Sequence, residues 1–292
     1  MNIIFQINGG IGKCILATSV CEAIHKQYPD SQLIVMSGYP EVFINNPFVY
    51  RSFSFGMTQY FYEDFIEGKE FKVFGHDPYI QTEHLMQNEH LTHTWTRMFD
   101  IDAPESVIPK LYLTDRERKF FGQKFTSDKP ILLLQTNGGA ENQQIKYSWS
   151  RDIPFSVSQK IVNEFKDEFN IYHIRRDEQI TLENTIPFQA DFRLICGLIN
   201  FSQKRLFIDS FGQHTAKALD LDSVVCWVAN TPIQFGYENN TNITANPETK
   251  KPELKNSFLS KYNIVGDIFE FPYNNEEEIF NADEIIEALK KN

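Results

Sequence analysis

The chain has only four cysteines among its 292 residues, Cys14, Cys21, Cys196 and Cys226, and no two of them form a C-x-x-C pair. That scatter indicates neither a disulfide framework nor a cysteine-built zinc site, and it suits reduced, buried thiols. No apolar run approaches the roughly 20 residues that a membrane-spanning helix requires. The amino terminus, MNIIFQINGG, lacks the basic start and long apolar core of a secretory signal, so a cytoplasmic location is expected. Basic residues are also scarce, 28 Lys and Arg against 39 Asp and Glu, for a formal net charge of −11. A surface devoted to nucleic-acid phosphates is therefore disfavoured, although a local basic groove is compatible with that balance.

What is present is apolar and aromatic. Hydrophobic residues make up 41% of the chain and 26 positions are Phe, which is enough for two ordinary cores. NIIFQI reads as a buried strand, Lys13 to Tyr28 carries apolar residues at helical spacing, and QLIVMS after Pro29-Asp30-Ser31 reads as a second strand. This is a β-α-β unit. Its turn, Asn8-Gly9-Gly10-Ile11-Gly12-Lys13, fits neither of two phosphate-binding motifs. A Walker A loop has glycine where Ile7 stands and Ser or Thr where Cys14 stands. A dinucleotide fingerprint has an acidic residue where the second strand here ends in Met36-Ser37-Gly38.

Between Gly38 and Thr114 short strands alternate with short amphipathic helices. His76, His84, His90 and His93 fall in this stretch, and His90 and His93 are expected on a solvated helix face. Asp100-Ile101-Asp102 follows a helix-like run and precedes Ala-Pro, so it reads as a helix-ending turn and not as a metal-binding D-x-D. No metal ligand set is assigned. Asp115 to Phe125 is a charged helix, and TSDKP is a linker.

After Pro130 the pattern becomes regular. ILLLQT has the continuous apolar run of a strand buried on both faces, and it opens into a long polar loop ending near Pro154. Helix and strand patterns then alternate to about residue 230, which predicts a parallel, doubly wound sheet. Within this part, RLFIDSFGQHTAKALD changes period in mid-run. A short strand ends at Asp209-Ser210 and a helix opens at once, so unpaired N–H groups and the positive end of a helix dipole converge on one point. That arrangement suits a phosphate, with Gly212 letting a ligand approach the backbone and Ser210 and His214 donating to it. A buried turn in which Asp209 or Ser210 caps the helix fits the same residues.

Asp209-Ser210-Phe211-Gly212-Gln213-His214-Thr215-Ala216-Lys217-Ala218-Leu219 resembles the D-[ST]-G-x-x-H-x-x-A-A-L signature of heptosyltransferases and their relatives in glycosyltransferase family nine, with Phe211 at the usual glycine position and the glycine one place later. Gly10, Ile11, Gly12, Ile15, Ala17 and Thr18 are similar to that family's amino-terminal G-x-[IL]-G-D-x-[IL]-x-[AT]-[TL]-P segment. Lys146 and Trp149 resemble its K-x-W element, with two residues between them in place of one.

The resemblance implies two Rossmann-like domains facing across a cleft, the GT-B architecture. The acceptor domain would span 1–125 and the nucleotide-sugar domain 126–270, with the helix of 271–292 packing back on the first. It implies a glycosyltransferase that takes sugar from a nucleotide-diphosphate sugar, with no other cofactor and no metal. Donor contacts would come from Asp209, Ser210, Gly212, Gln213, His214 and Lys146, with Gly10 and Gly12 in the first domain. The family's proposed catalytic aspartate is replaced by Lys13, so the base is sought elsewhere, at Asp77 with His76 beside it. Lys13 itself either reaches a phosphate or an acidic acceptor, or points its ammonium to water along the surface. The acceptor is expected to be a surface glycan; a modified base in phage DNA, or a nucleotide-binding protein that has lost catalysis, are the other readings.

Overall fold

A computed structural model describes residues 1–56, 58–138, 150–254 and 271–292. They divide into two compact units, Met1–Arg118 with Lys217–Leu219, and Lys119–Ala216 with Asp220–Asn292. Each holds a parallel sheet of Rossmann-like type, as the alternating pattern implies.

In the first unit β1 (Asn2–Ile7) leads into α1 (Ile11–Gln27) and back to β2 (Gln32–Ser37). Pro29 disfavours helical geometry at Tyr28, and α1 stops there. β3 (Arg51–Ser54), α2 (Phe61–Phe65), β4 (Phe71–Phe74), α3 (Thr82–Leu85) and α4 (Leu91–Met98) follow. The strand order is β3-β2-β1-β4, all parallel. Phe5 meets Trp95 and Phe99 edge-on at 5.3 and 5.7 Å, and Phe74 stacks on Phe99 at 4.5 Å, so α4 is tied to the sheet by aromatic contacts.

The second unit contains β5 (Ile131–Gln135), α6 (Phe155–Phe165), β6 (Asn170–Ile174), β7 (Ile186–Phe188), α7 (Phe192–Phe201), β8 (Lys204–Ile208), α8 (Phe211–Ala218), β9 (Val224–Trp227), α9 (Pro232–Phe235), β10 (Thr241–Thr244) and α10 (Ala282–Lys291). Its order is β10-β9-β8-β5-β6-β7, again parallel, and all five residues of β5 are buried. In both sheets the order reverses beside the first strand, between β1 and β4 and between β5 and β8. Ligands of such sheets bind at the carboxyl ends of the strands, where the order reverses.

Two expectations about boundaries are corrected. The division falls after Arg118, inside α5 (Asp115–Lys124), and not after residue 125. The terminal helix α10 belongs to the second unit, because Ile285, Ile286 and Leu289 are buried in the same cluster as Leu206 and Val224. Lys160–Asp283 and Lys290–Glu164 pairs at 2.8 and 2.7 Å flank that contact, and Lys204 Nζ donates to the Leu289 carbonyl at 2.6 Å. Among the described residues no helix is long and apolar enough to cross a membrane.

Candidate functional site

The reversal point of the first sheet is occupied by an ion pair. The turn after β1 passes through Gly9 at φ +123°, a conformation that L side chains rarely adopt, and a Cβ there would lie 3.0 Å from Lys13 Cδ. The glycine thus leaves room for the lysine stem. Lys13 Nζ lies 2.7 Å from Asp77 Oδ1, with the lysine side chain 3% exposed and the aspartate 40%. The ammonium also sits 4.4 Å from the Tyr79 ring centroid and 5.5 Å from that of Trp95. Burial pulls the Lys13 pKa down, and the hydrogen bond and charge of Asp77 oppose that pull. A cation in the first turn of a helix also works against the helix dipole. Asp77 compensates, and the Lys13 ammonium does not point to water.

Asp77 comes from the segment after β4, and its Oδ1 also accepts the Tyr79 N–H at 3.0 Å, capping the 3-10 turn Pro78–Ile80. Behind it His84 stacks on Tyr79 at 4.9 Å and 11°, and burial lowers its pKa to about 4. His76 is exposed next to Asp77. Gly10 is the extended residue before α1, its carbonyl accepting the Lys13 and Cys14 N–H groups, and Gly12 lies in the first helical turn.

The reversal point of the second sheet is held by Gln135, the last residue of β5. Its Oε1 accepts the Gly212 N–H at 3.1 Å and its Nε2 donates to Ser210 Oγ at 3.0 Å, so one amide ties β5 to the β8–α8 turn. A Cβ at Gly212 would fall 2.5 Å from Gln135 Oε1 and 2.8 Å from Phe207 Cδ1. What approaches this glycine is Gln135 and Phe207. Asp209 is buried and accepts from Asn230 Nδ2; burial raises its pKa, while the charge of Arg151 and the Asn230 bond oppose the rise. Gln213 is fully buried, donating to the Phe235 carbonyl at 3.3 Å, and its Oε1 has no hydrogen-bond partner among the described residues. His214 is buried with Nδ1 2.8 Å from the Tyr237 hydroxyl, a phenol whose pKa burial raises well above its ordinary value.

The structure therefore brings Lys13 and Asp77 into contact, and separately gathers Asp209, Ser210, Gly212, Gln213 and His214 at one turn. Lys146 and Trp149 lie outside the described residues. On either side of them in the chain, Asp152 accepts from Asn137 Nδ2 at 3.1 Å and from the Gly138 N–H at 2.9 Å. His90 corrects an expectation. It is buried, its Nδ1 accepts the Thr92 N–H at 3.3 Å to cap α4, and burial lowers its pKa to about 3. Asp100 follows α4 at φ +56°, in the helix-ending turn expected of it. No group of three His, Cys, Asp or Glu suited to a metal ion occurs among the described residues.

Sequence reasoning missed Gln135, Tyr79, Trp95, Asn230 and Tyr237. Gln135 had a signal, being the one polar residue at the end of an apolar strand. Trp95 and Tyr237 had none, since their partners lie 82 and 23 positions away in the numbering, Lys13 and His214.

No protein-family model matches the sequence, and no curated protein matches it. Solved structures do match its fold. A glycosyl transferase of family nine from Veillonella parvula is similar at a TM-score of 0.67 and 11% identity, over 99% of this chain and 96% of that one. The ADP-heptose LPS heptosyltransferase II of E. coli matches at 0.65 and 11%, over 100% and 99%. The E. coli heptosyltransferase WaaC, solved with ADP, matches at 0.55 and 9%, over 84% and 91%. The chain thus has the fold of the heptosyltransferase-like glycosyltransferases, in agreement with the resemblance carried by its motifs.

Proposed function

We propose that this protein is a cytoplasmic glycosyltransferase that moves a sugar from a nucleotide-diphosphate sugar to a hydroxyl of a surface-glycan acceptor. The observation that carries the reading is Asp77, a half-buried carboxylate fixed at the reversal point of the first sheet. An acceptor hydroxyl attacks the anomeric carbon; its oxygen forms the new bond, its proton passes to Asp77, and the bond to phosphate breaks with its electron pair on the departing nucleoside diphosphate. His76 stands beside the base, and Gly10 and Gly12 border the same turn.

The diphosphate is assigned to the β8–α8 turn. Gly212 and Gln213 shape it, with the Gly212 N–H already engaged by Gln135, so Ser210, His214 and Lys146 are the groups proposed to meet phosphate. Asp209 holds the turn through Asn230. Charge builds on the leaving diphosphate as the sugar departs, so these donors stabilise the transition state more than the ground state. With that neutralisation supplied by the chain, the reaction is proposed to need no metal, and turnover is expected to survive EDTA. Loss of turnover on chelation, restored by Mg²⁺ or Mn²⁺, would contradict it. The experiment that tests the whole reading is donor consumption across a panel of nucleotide sugars beginning with ADP-heptose.

A second reading is favoured by one observation. A lysine stands at the position of the family's aspartate and is satisfied by Asp77, as expected also of a nucleotide-binding protein without catalysis. Nucleoside diphosphate binding with no donor consumption would select it.

A further inference from the structure

We infer that Lys13 is a positioning residue that fixes Asp77 with one carboxylate oxygen tied down and the other presented, an inference that rests on the role proposed above for Asp77. Both contacts of the carboxylate converge on Oδ1: the Lys13 ammonium at 2.7 Å and the Tyr79 N–H at 3.0 Å. Oδ2 has no hydrogen-bond or ionic partner among the described residues, and the side chain is 40% exposed. Two donors on one oxygen orient the carboxylate plane and leave the lone pairs of the other directed outward.

Lys13 is held as firmly as the group it holds. Its stem passes Gly9 at a distance no Cβ would tolerate without a shift, its ammonium lies against the Tyr79 and Trp95 rings, and its side chain is 3% exposed. An ammonium so enclosed and already paired is not one that a diphosphate meets directly. Its contribution passes through Asp77: Oδ2 takes the acceptor proton while Lys13 stays protonated and Oδ1 stays bonded. Charge complementarity at this point of the fold thus comes from two residues 64 positions apart in the chain, Lys13 and Asp77.

The test compares wild type, Lys13→Met, Asp77→Asn and the double variant in consumption of the nucleotide sugar that the panel identifies, with affinity for the matching nucleoside diphosphate measured separately by calorimetry. Lys13→Met is expected to lower kcat at least about tenfold while donor KM and nucleoside diphosphate affinity stay within about twofold. In the Asp77→Asn background the same substitution is expected to have no further effect, since residues acting through one group are non-additive. Lys13→Ala with added ethylamine keeps the test open if Lys13→Met folds poorly, because an amine filling the vacated place is expected to restore part of the rate. A wild-type rate in Lys13→Met, a raised donor KM, or an additive loss in the double variant overturns the inference alone. A wild-type protein that binds no nucleoside diphosphate overturns the proposed function and this inference with it.

Discussion

The two reversal points are built by different means. At the second sheet the polar groups come from one contiguous stretch, Asp209 to His214, which a strand delivers and a helix continues. At the first sheet the pair is Lys13 and Asp77, from segments after β1 and β4 that are neighbours only because those strands pair in parallel. A contiguous site is a motif and is visible in the sequence. An assembled one exists only once the sheet order is known, and its residues look ordinary one by one.

The two points are expected to fail differently, and the largest effect should come from the assembled one. Asp77→Asn is expected to lower turnover by about 100-fold or more, the usual scale for a lost general base, with nucleoside diphosphate affinity unchanged. Steady-state kinetics beside calorimetry separates the two quantities. His214→Ala is expected to do the reverse, weakening nucleoside diphosphate binding by about 1.5–3 kcal/mol through loss of a contact to a charged group. Because His214 is buried against Tyr237, the same change should also lower thermal stability. Equal effects of both variants on affinity and rate would erase the distinction drawn between the points.

A second way to sharpen it is Gly212→Ala. The added methyl meets Gln135 Oε1 at 2.5 Å and Phe207 at 2.8 Å, so overpacking of about 1–3 kcal/mol is expected in denaturant unfolding. If the glycine mattered only for access by a ligand, stability would be unchanged and nucleoside diphosphate affinity alone would fall.

Acid is expected to destabilise both units by a smaller margin. His84 and His90 in the first unit and His173 in the second have pKa values lowered by burial to about 4, 3 and 4. The folded state therefore holds them neutral where the unfolded chain, near the ordinary value of about 6.5, takes up protons. Stability from these groups is present above about pH 6.5 and is lost as pH falls toward about 4. His90→Asn is therefore expected to reduce the loss of first-unit amide protection on acidification, taken relative to the intrinsic exchange rate at each pH. An unchanged pH dependence of that protection in His90→Asn would contradict the assignment.

Much of the fold was legible because period and composition report it directly. The strands β1, β2, β5 and β8 are apolar runs bounded by turn residues, and α1, α6 and α7 carry helical spacing. The edge strands of the second sheet were not legible. β7 is three residues with Pro187 at its centre, and β10 is Thr-Asn-Ile-Thr with one buried side chain, so neither has a readable period. Of the site, the β8–α8 turn could be read and its internal partners could not, since nothing in Asp209 to His214 announces Gln135, Asn230 or Tyr237. Lys13 reads from sequence as a helix-terminal lysine with no carboxylate near it. Only the pairing of β1 with β4 supplies Asp77.

The most direct test of the central claim is calorimetric titration of the protein with ADP, UDP and GDP, followed by hydrogen exchange of the complex formed. The account predicts that at least one of them binds and that amides of residues 209–214 become protected. Failure of all three to bind at millimolar concentration, or binding that leaves those amides unchanged, would contradict it.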